Sequence, residues 1–275
     1  MSPRENRSLH ADKISFIGAG KMAEALIAGI IKAKVVSPKA IAASDILPAR
    51  LSYLKKTYKI NTAAGNQKTA DNADIVILAV KPQVLAEVGS QLRVKNSALI
   101  VSIAAGVGLG KLQNLFPNNP VVRVMPNNPA LVGAGISAIS AGEKVMEADL
   151  KKVEQIFRSV GEVVDIEEKL MDAVTGLSGS GPAFIYFIVE AMVEAGEKLG
   201  LNKAVAEKLA VTTVLGSAQT LLKTKKSPRE LREMVTSPGG TTLSGLRVLE
   251  ERRAAEALTD AVIMAAKRAA ELSQS

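Results

Sequence analysis

Three short stretches of this 275-residue chain carry residue types and spacings that could do chemistry. The first is Gly18-Ala19-Gly20-Lys21-Met22-Ala23, a Gly-x-Gly-x-x-Ala run. In such a run the first glycine permits a tight turn and the second lets backbone approach a pyrophosphate. The small third residue lets a helix pack closely on a strand, and the helix N-terminus offers N–H donors and a positive dipole end. That chemistry is the holding of a dinucleotide, provided the run closes a strand and opens a helix. The second stretch is Ser237-Pro238-Gly239-Gly240-Thr241-Thr242. Two glycines before a helix start expose consecutive N–H groups, a nest suited to a carboxylate. The hydroxyls of Ser237 and Thr242 can donate or accept. On residue types alone, an ordinary capped loop explains this stretch equally well. The third is Ala79-Val80-Lys81-Pro82, which sets a cation just past an apolar run, where open α/β sheets carry their ligands. A plain surface lysine is the alternative.

Ser44-Asp45-Ile46-Leu47-Pro48-Ala49-Arg50 follows another apolar run. An acidic residue here favours the ribose hydroxyls of NAD. Serine with a nearby arginine or lysine favours the 2′-phosphate of NADP. Both elements are present, and Asp45 could equally cap the helix that follows.

The elements that must position these residues follow from hydrophobic patterning. Apolar runs at 13–18, 40–44, 75–80, 99–103 and 121–125 read as buried strands, with helices at 21–33, 48–58, 83–94 and 109–116 between them. That alternation predicts a parallel, doubly wound sheet. Two further strand-like runs, 135–140 and 162–166, flank a helix at 147–159. From about 168 onward strand signals stop. Helices are predicted from Pro182 to Gly200 and over 203–223, 228–235, 242–252 and 254–272. Several are apolar over more than one face, and such helices must be buried. A second subunit is the simplest cover. The expected fold class is therefore α/β: an N-terminal Rossmann-like doubly wound sheet over residues 1–167, then an all-α helical dimerisation domain over 168–275. Residues 1–12 read as a flexible lead without the apolar core of a secretory signal.

Composition narrows the function. Hydrophobic residues make up 47% of the chain, enough for a sizeable core, while aromatics make up 3%. There is no cysteine, which excludes thiolate catalysis and Cys-ligated metal. The single histidine, His10, lies in the polar lead, so no metal site is expected. The net charge of +8 is read as solubility and general anion attraction. Lys and Arg are spread along the chain and few aromatics could stack on bases, so no nucleic acid is expected as a partner. The longest apolar stretch, 183–189, is too short to span a bilayer. No membrane partner is expected, and the protein is taken as cytoplasmic.

The chain resembles the pyrroline-5-carboxylate reductases from about residue 13 to its end. The resemblance rests on Phe16-Ile17-Gly18-Ala19-Gly20-Lys21-Met22, Ala79-Val80-Lys81-Pro82 and Ser102-Ile103-Ala104-Ala105-Gly106-Val107. It continues through Arg123-Val124-Met125-Pro126-Asn127-Asn128-Pro129-Ala130 and Gly176-Leu177-Ser178-Gly179-Ser180-Gly181-Pro182-Ala183. It ends on Ser237 to Thr242 and Val248-Leu249-Glu250. The resemblance implies reduction of a cyclic imino acid, 1-pyrroline-5-carboxylate, to L-proline with NADP(H) or NAD(H). It implies that Gly18, Ala19, Gly20, Lys21 and Met22 hold the pyrophosphate, that Ser44 lies near the adenosine ribose, that Asn66 also contacts the cofactor, and that Val80, Lys81 and Ala105 line the nicotinamide side. It places the substrate carboxylate on the amides of Gly239, Gly240 and Thr241, with Ser237 beside them and Glu168 near the substrate. The Thr242 hydroxyl would bond the ring nitrogen as the catalytic contact. Family members form homodimers through the helical domain, often five dimers in a ring. Met234 departs from relatives that carry a polar cofactor contact there.

A protonated imine is already electrophilic, so its reduction needs an anchored substrate and an oriented nicotinamide rather than a strong base. Two other readings compete. The β-hydroxyacid dehydrogenases also join a Rossmann domain to a helical one and carry a catalytic lysine four residues after a Gly-x-x-Gly-x-Gly run. This chain has that run at Gly176, Gly179 and Gly181, but Ile185 in the lysine's place, and isoleucine cannot donate a proton. A non-catalytic dinucleotide sensor would keep the glycine turn and need no carboxylate nest.

Overall fold

The computed structural model describes residues 12–274. The expected flexible lead and His10 lie, but for Asp12, outside the described residues. The chain forms two compact units. One runs up to Gly179 and takes in the stretch from Ala265 onward; the other is Ser180–Met264.

The first unit is built on a sheet of eight strands: β1 (Ile14–Ile17), β2 (Ile41–Ser44), β3 (Asn61–Ala63), β4 (Ile75–Leu78), β5 (Leu99–Ser102), β6 (Val121–Met125), β7 (Gly135–Ala141) and β8 (Gly161–Asp165). Their order is β3-β2-β1-β4-β5-β6-β7-β8. The crossovers hold α1 (Lys21–Lys32), α2 (Pro48–Tyr58), α3 (Asn66–Ala70), α4 (Pro82–Gln91), α5 (Leu109–Leu115) and α6 (Glu147–Arg158). The central strands are buried on both faces, which is why they read as unbroken apolar runs. Ile14 and Phe16 of β1, with Ile75 and Ile77 of β4, pack into one core together with Leu26, Ile27 and Phe157. Their alternates Ile17, Val76 and Leu78 pack into a second core with Leu85 and Leu112.

The sheet is not parallel throughout. β7 runs antiparallel to β6, and β8 then pairs parallel to β7. The link from Met125 to Gly135 holds only a short 3₁₀ turn, Asn128–Val132. That is shorter than the dozen or so residues a parallel crossover needs, so the chain can only turn back on itself. β3 and α3 escape the hydrophobic pattern because each is short and polar: Asn61-Thr62-Ala63 is an edge strand, and α3 spans five residues.

β7 and β8 approach closely where Gly135 and Gly161 sit in register. A β-carbon on Gly161 would collide with the Gly135 carbonyl, and its φ of +153° is one that other residues rarely adopt. Gly161→Ala is expected to lose about 1–3 kcal/mol from strain and overpacking. Urea unfolding would show this as a lower midpoint at unchanged m-value, and an unshifted midpoint would refute it.

After β8 come a 3₁₀ turn (Glu168–Leu170), α7 (Met171–Val174) and a π-helical turn (Thr175–Gly179). The second unit is helical: α8 (Gly181–Lys198), α9 (Lys203–Thr224), α10 (Pro228–Met234), α11 (Thr241–Glu251) and the first part of α12 (Ala254–Gln274). Pro182 sits in the first turn of α8, where its missing N–H costs nothing. The helix stops before Gly200, whose φ is +93°. Asn202 caps α9 by accepting from the Val205 amide, and Ser227 and Glu230 cap α10 reciprocally. Among the described residues this unit has a small buried core, Val193, Ala206 and Ala210. Phe187 is 71% exposed and Leu222 is 80% exposed, with Leu209, Val211 and Leu215 more than half exposed. The unit therefore presents the many-sided apolar helices read from the sequence, uncovered. Phe184, Phe187, Ile188, Leu246, Leu249 and Leu258 line an apolar groove of about 810 Å³. Among the described residues one helical run, 168–198, is long and apolar enough to cross a membrane, with a mean hydropathy of 1.3 over its most apolar window.

Candidate functional site

The glycine turn lies where the strand order reverses, between β1 and β4. Gly18 follows β1 with φ +93°. A β-carbon there would stand 2.7 Å from the Ala79 carbonyl oxygen and 3.0 Å from Val80 Cγ1, so only glycine fits. Its amide donates to the Ser44 carbonyl at 3.0 Å. Gly20 is the N-cap of α1 and has nothing within 4 Å of its β-carbon position, which is the open approach a phosphate needs. Ala23 is buried against the sheet. The first backbone bond of α1 is Glu24 N–H to Gly20 C=O. The amides of Gly20, Lys21, Met22 and Ala23 thus point out of the helix with no partner among the described residues.

Asp45 resolves its ambiguity toward the backbone. Its carboxylate accepts from the Ala19 amide at 2.9 Å and from the Leu47 amide at 3.0 Å, tying the start of α2 to the turn. Arg50, on α2, lies across the same turn. Its Nε donates to the Ala19 carbonyl at 2.6 Å, and Nη2 donates to the Gly20 carbonyl at 3.2 Å and to Glu24 Oε2 at 2.6 Å. The other Glu24 oxygen accepts from the Tyr53 and Tyr58 hydroxyls at 2.9 and 3.0 Å. The guanidinium also sits 5.3 Å from the Tyr53 ring centre. Burial alone would raise the Glu24 pKa, but hydrogen bonds from Arg50, Tyr53 and Tyr58 together outweigh it and hold the carboxyl below its usual range. Burial, then the hydrogen bond and charge of Glu24, push the Tyr58 hydroxyl up to about 12.

The other expected cofactor residues lie at or beyond the carboxyl ends of neighbouring parallel strands. Ser44 ends β2 fully buried, and its hydroxyl donates to Asn66 Oδ1 at 2.8 Å, so the structure brings these two residues together. Val80 and exposed Lys81 follow β4, Lys81 as the N-cap of α4. Ala105 follows β5 beside Gly106, which turns the chain at φ +72°.

Glu168 is anchored in the first unit. Its Oε1 accepts from the Leu109 amide at 3.0 Å and from Arg123 Nη1 at 2.7 Å. Arg123 stands in the middle of β6 with its side chain 4% exposed, and its Nη2 lies 3.6 Å from Asp172 Oδ1. Residue types alone missed this Arg123 cluster, although its charge inside the apolar run Val121 to Met125 was a visible signal.

In the second unit Ser237 to Gly240 forms a turn closed by the Gly240 amide donating to the Ser237 carbonyl at 3.0 Å. Gly239 carries the positive φ, +71°, and Pro238 precedes it, the pairing of a type II turn. Gly240 is the N-cap of α11, and a β-carbon on it would press on Ser237 Oγ at 2.5 Å. One amide of the expected nest is thus spent on the turn. Gly239 and Thr241 carry the open ones. Thr242 is exposed, and its hydroxyl has no hydrogen bond among the described residues. Met234 is 65% exposed, with Lys226 Nζ 3.1 Å from its sulfur. Among the described residues no group of three His, Asp or Glu is placed to hold a metal.

Comparison with known proteins adds to this geometry. Residues 168–272 match the family model described as pyrroline-5-carboxylate reductase dimerisation, and residues 13–106 match that described as NADP oxidoreductase coenzyme F420-dependent. The pyrroline-5-carboxylate reductase of Methanosarcina acetivorans is 46% identical, covering 94% of this chain and 97% of its own length. That of Synechocystis is 44% identical, covering 94% of this chain and 98% of its own length. The crystal structure of the Plasmodium falciparum pyrroline carboxylate reductase with NADP bound superposes with a TM-score of 0.89 at 32% identity, covering 96% of this chain and 99% of that one.

Proposed function

The chain belongs to the pyrroline-5-carboxylate reductase family, and we propose that it reduces 1-pyrroline-5-carboxylate to L-proline, the last step of proline biosynthesis, with NADPH or NADH as donor. The observation that carries the imino-acid reading is the turn Ser237 to Gly240 at the start of α11, with the Gly239 and Thr241 amides open among the described residues; the turn Gly18 to Ala23, with its open approach at Gly20, carries the dinucleotide. When bound there, the reduced nicotinamide supplies the hydride that goes to the imine carbon. Gly20, Lys21 and Met22 take the pyrophosphate, while Gly18 and Ala19 shape the turn behind it. Ser44 and Asn66 meet the adenosine ribose; Val80, Lys81 and Ala105 line the nicotinamide side. The substrate carboxylate is held by the Gly239 and Thr241 amides on the turn that Ser237 and Gly240 close, and Thr242 accepts from the protonated ring nitrogen. Solvent supplies the imine proton. The functional division falls at 167/168, where the match to the dimerisation model begins, ahead of the point at which the two compact units part, Gly179/Ser180. The exposed apolar faces of α8 and α9 and the groove beside Phe187 are covered by a second copy of the chain, and five such dimers make a ring. The enzyme works in the cytoplasm, with no nucleic acid or membrane as partner.

The test is turnover by the full chain. Reduced nicotinamide is expected to be consumed on adding pyrroline-5-carboxylate, with L-proline formed in equal amount and the protein eluting as a multiple of two chains. Tight dinucleotide binding without turnover at any pH would sink the reductase reading and leave a dinucleotide sensor.

A further inference from the structure

We propose that Arg50 is a positioning residue that aims the phosphate-binding amides of the glycine turn, held to that task by Glu24, and is not a recognition residue for the 2′-phosphate of NADP. The proposal rests on the reading that a dinucleotide lies at this turn.

Peptide planarity carries the argument. In a trans peptide the C=O of one residue and the N–H of the next point in opposite directions. The described backbone has no cis bond. Arg50 Nε holds the Ala19 carbonyl and Nη2 holds the Gly20 carbonyl. Fixing those two oxygens directs the Gly20 and Lys21 N–H groups away from the guanidinium. These are the first two of the four unpartnered amides.

The peptide just before them is held as well. Asp45 occupies the Ala19 amide, so a cation and an anion fix consecutive peptide planes. Besides these, the turn is held by the Gly18 amide on the Ser44 carbonyl and by the first helical bond of α1, Glu24 N–H to the Gly20 carbonyl, so at the Ala19 carbonyl the Arg50 Nε contact has no backbone duplicate among the described residues. Gly20 carries no side chain, and α1 has no side-chain cap.

The same contacts argue against a 2′-phosphate role. Two of the three guanidinium nitrogens, Nε and Nη2, are committed to the chain. Glu24 adds a carboxylate at 2.6 Å, with the arginine and glutamate side chains 18% and 14% exposed. An arginine so paired offers an incoming phosphate neither a free fork nor a free charge. Tyr53 and Tyr58 hold Glu24 in turn, so the guanidinium has a fixed rather than a roaming partner.

The two roles separate by ligand. Dissociation constants of NADPH, NADH, ADP-ribose and adenosine 2′-monophosphate are measured for the full chain and for Arg50→Met, with NADPH and NADH followed by nicotinamide fluorescence and the others by competition. Ligands carrying a 5′-pyrophosphate are expected to weaken by a common factor of about ten, the worth of one charge-assisted hydrogen-bond set. Adenosine 2′-monophosphate, which has no 5′-phosphate, is expected to bind unchanged. Glu24→Gln leaves Arg50 in place and guards against misfolding. It is expected to give the same pattern at a smaller factor. A loss confined to NADPH and adenosine 2′-monophosphate overturns the proposal, as does an equal loss for all four ligands or none for any. Failure of the wild-type chain to bind NADPH or NADH would instead remove the dinucleotide reading itself.

Discussion

Thr242→Val is expected to lower kcat/KM for pyrroline-5-carboxylate by about 10- to 100-fold, the worth of a hydrogen bond to a charged group at about 1.5–3 kcal/mol. Valine keeps the shape of threonine and removes the hydroxyl. Hydride transfer needs the ring nitrogen protonated, and an acceptor on its N–H holds that form and fixes its orientation toward the donor. The positive charge on nitrogen is lost as hydride arrives and the contact weakens, so the loss should fall on KM at least as much as on kcat. Stability is expected to hold within about 0.5 kcal/mol, because Thr242 is exposed and its hydroxyl has no hydrogen bond among the described residues. Thr242→Ser, which keeps the hydroxyl, should recover most of the rate. Unchanged kcat/KM in the valine variant would remove Thr242 from the mechanism.

The second large effect is on stability. Arg123→Met is expected to cost about 3 kcal/mol, the low end for breaking a buried ion pair from one side. Two carboxylates would lose their cation at once, Glu168 at 2.7 Å and Asp172 at 3.6 Å. Each is about a third exposed, so water re-solvates them in part and keeps the cost from rising further. Arg123→Met with Glu168→Gln should be more stable than Arg123→Met alone, since the amide still accepts from the Leu109 N–H without leaving an unpaired charge. Chemical denaturation of the four proteins in that cycle measures the coupling, and strict additivity would show that the pair is energetically idle. The same variants decide what Glu168 does. If Glu168→Gln leaves the KM for pyrroline-5-carboxylate unchanged, Glu168 braces the start of α5 and does not touch substrate.

Much of this was legible in the residue order. The strands β1, β2, β4, β5 and β6 are continuous apolar runs because both faces of each are buried. Gly18 announced its turn because a β-carbon there meets the next strand. Ser237 to Thr242 announced a tight turn because proline fixes its φ and glycine alone readily takes the positive φ that follows it. Other features had no local signal. β3 pairs through backbone at a polar edge, so its side chains needed no apolar period. The reversal at β7 depends on the length of the link from β6, which the apolar period of β7 does not encode.

The site divides in the same way. By itself the order of residues determined that a tight glycine turn precedes α1 and that a second glycine turn precedes α11, because backbone conformation at glycine and proline is a local property. It could not decide between two partners for one side chain. Asp45 stood equally for a ribose ligand and a helix cap, and Arg50 for a phosphate ligand. Only the tertiary structure put the Ala19 amide beside Asp45 and the Ala19 and Gly20 carbonyls beside Arg50. Those contacts join β1, α1 and α2 across about thirty residues of chain, as Arg123 and Glu168 join β6 to the turn after β8 across 45. A hydrogen bond or ion pair depends on distances of a few ångströms, and for residues far apart in the chain folding alone sets those distances.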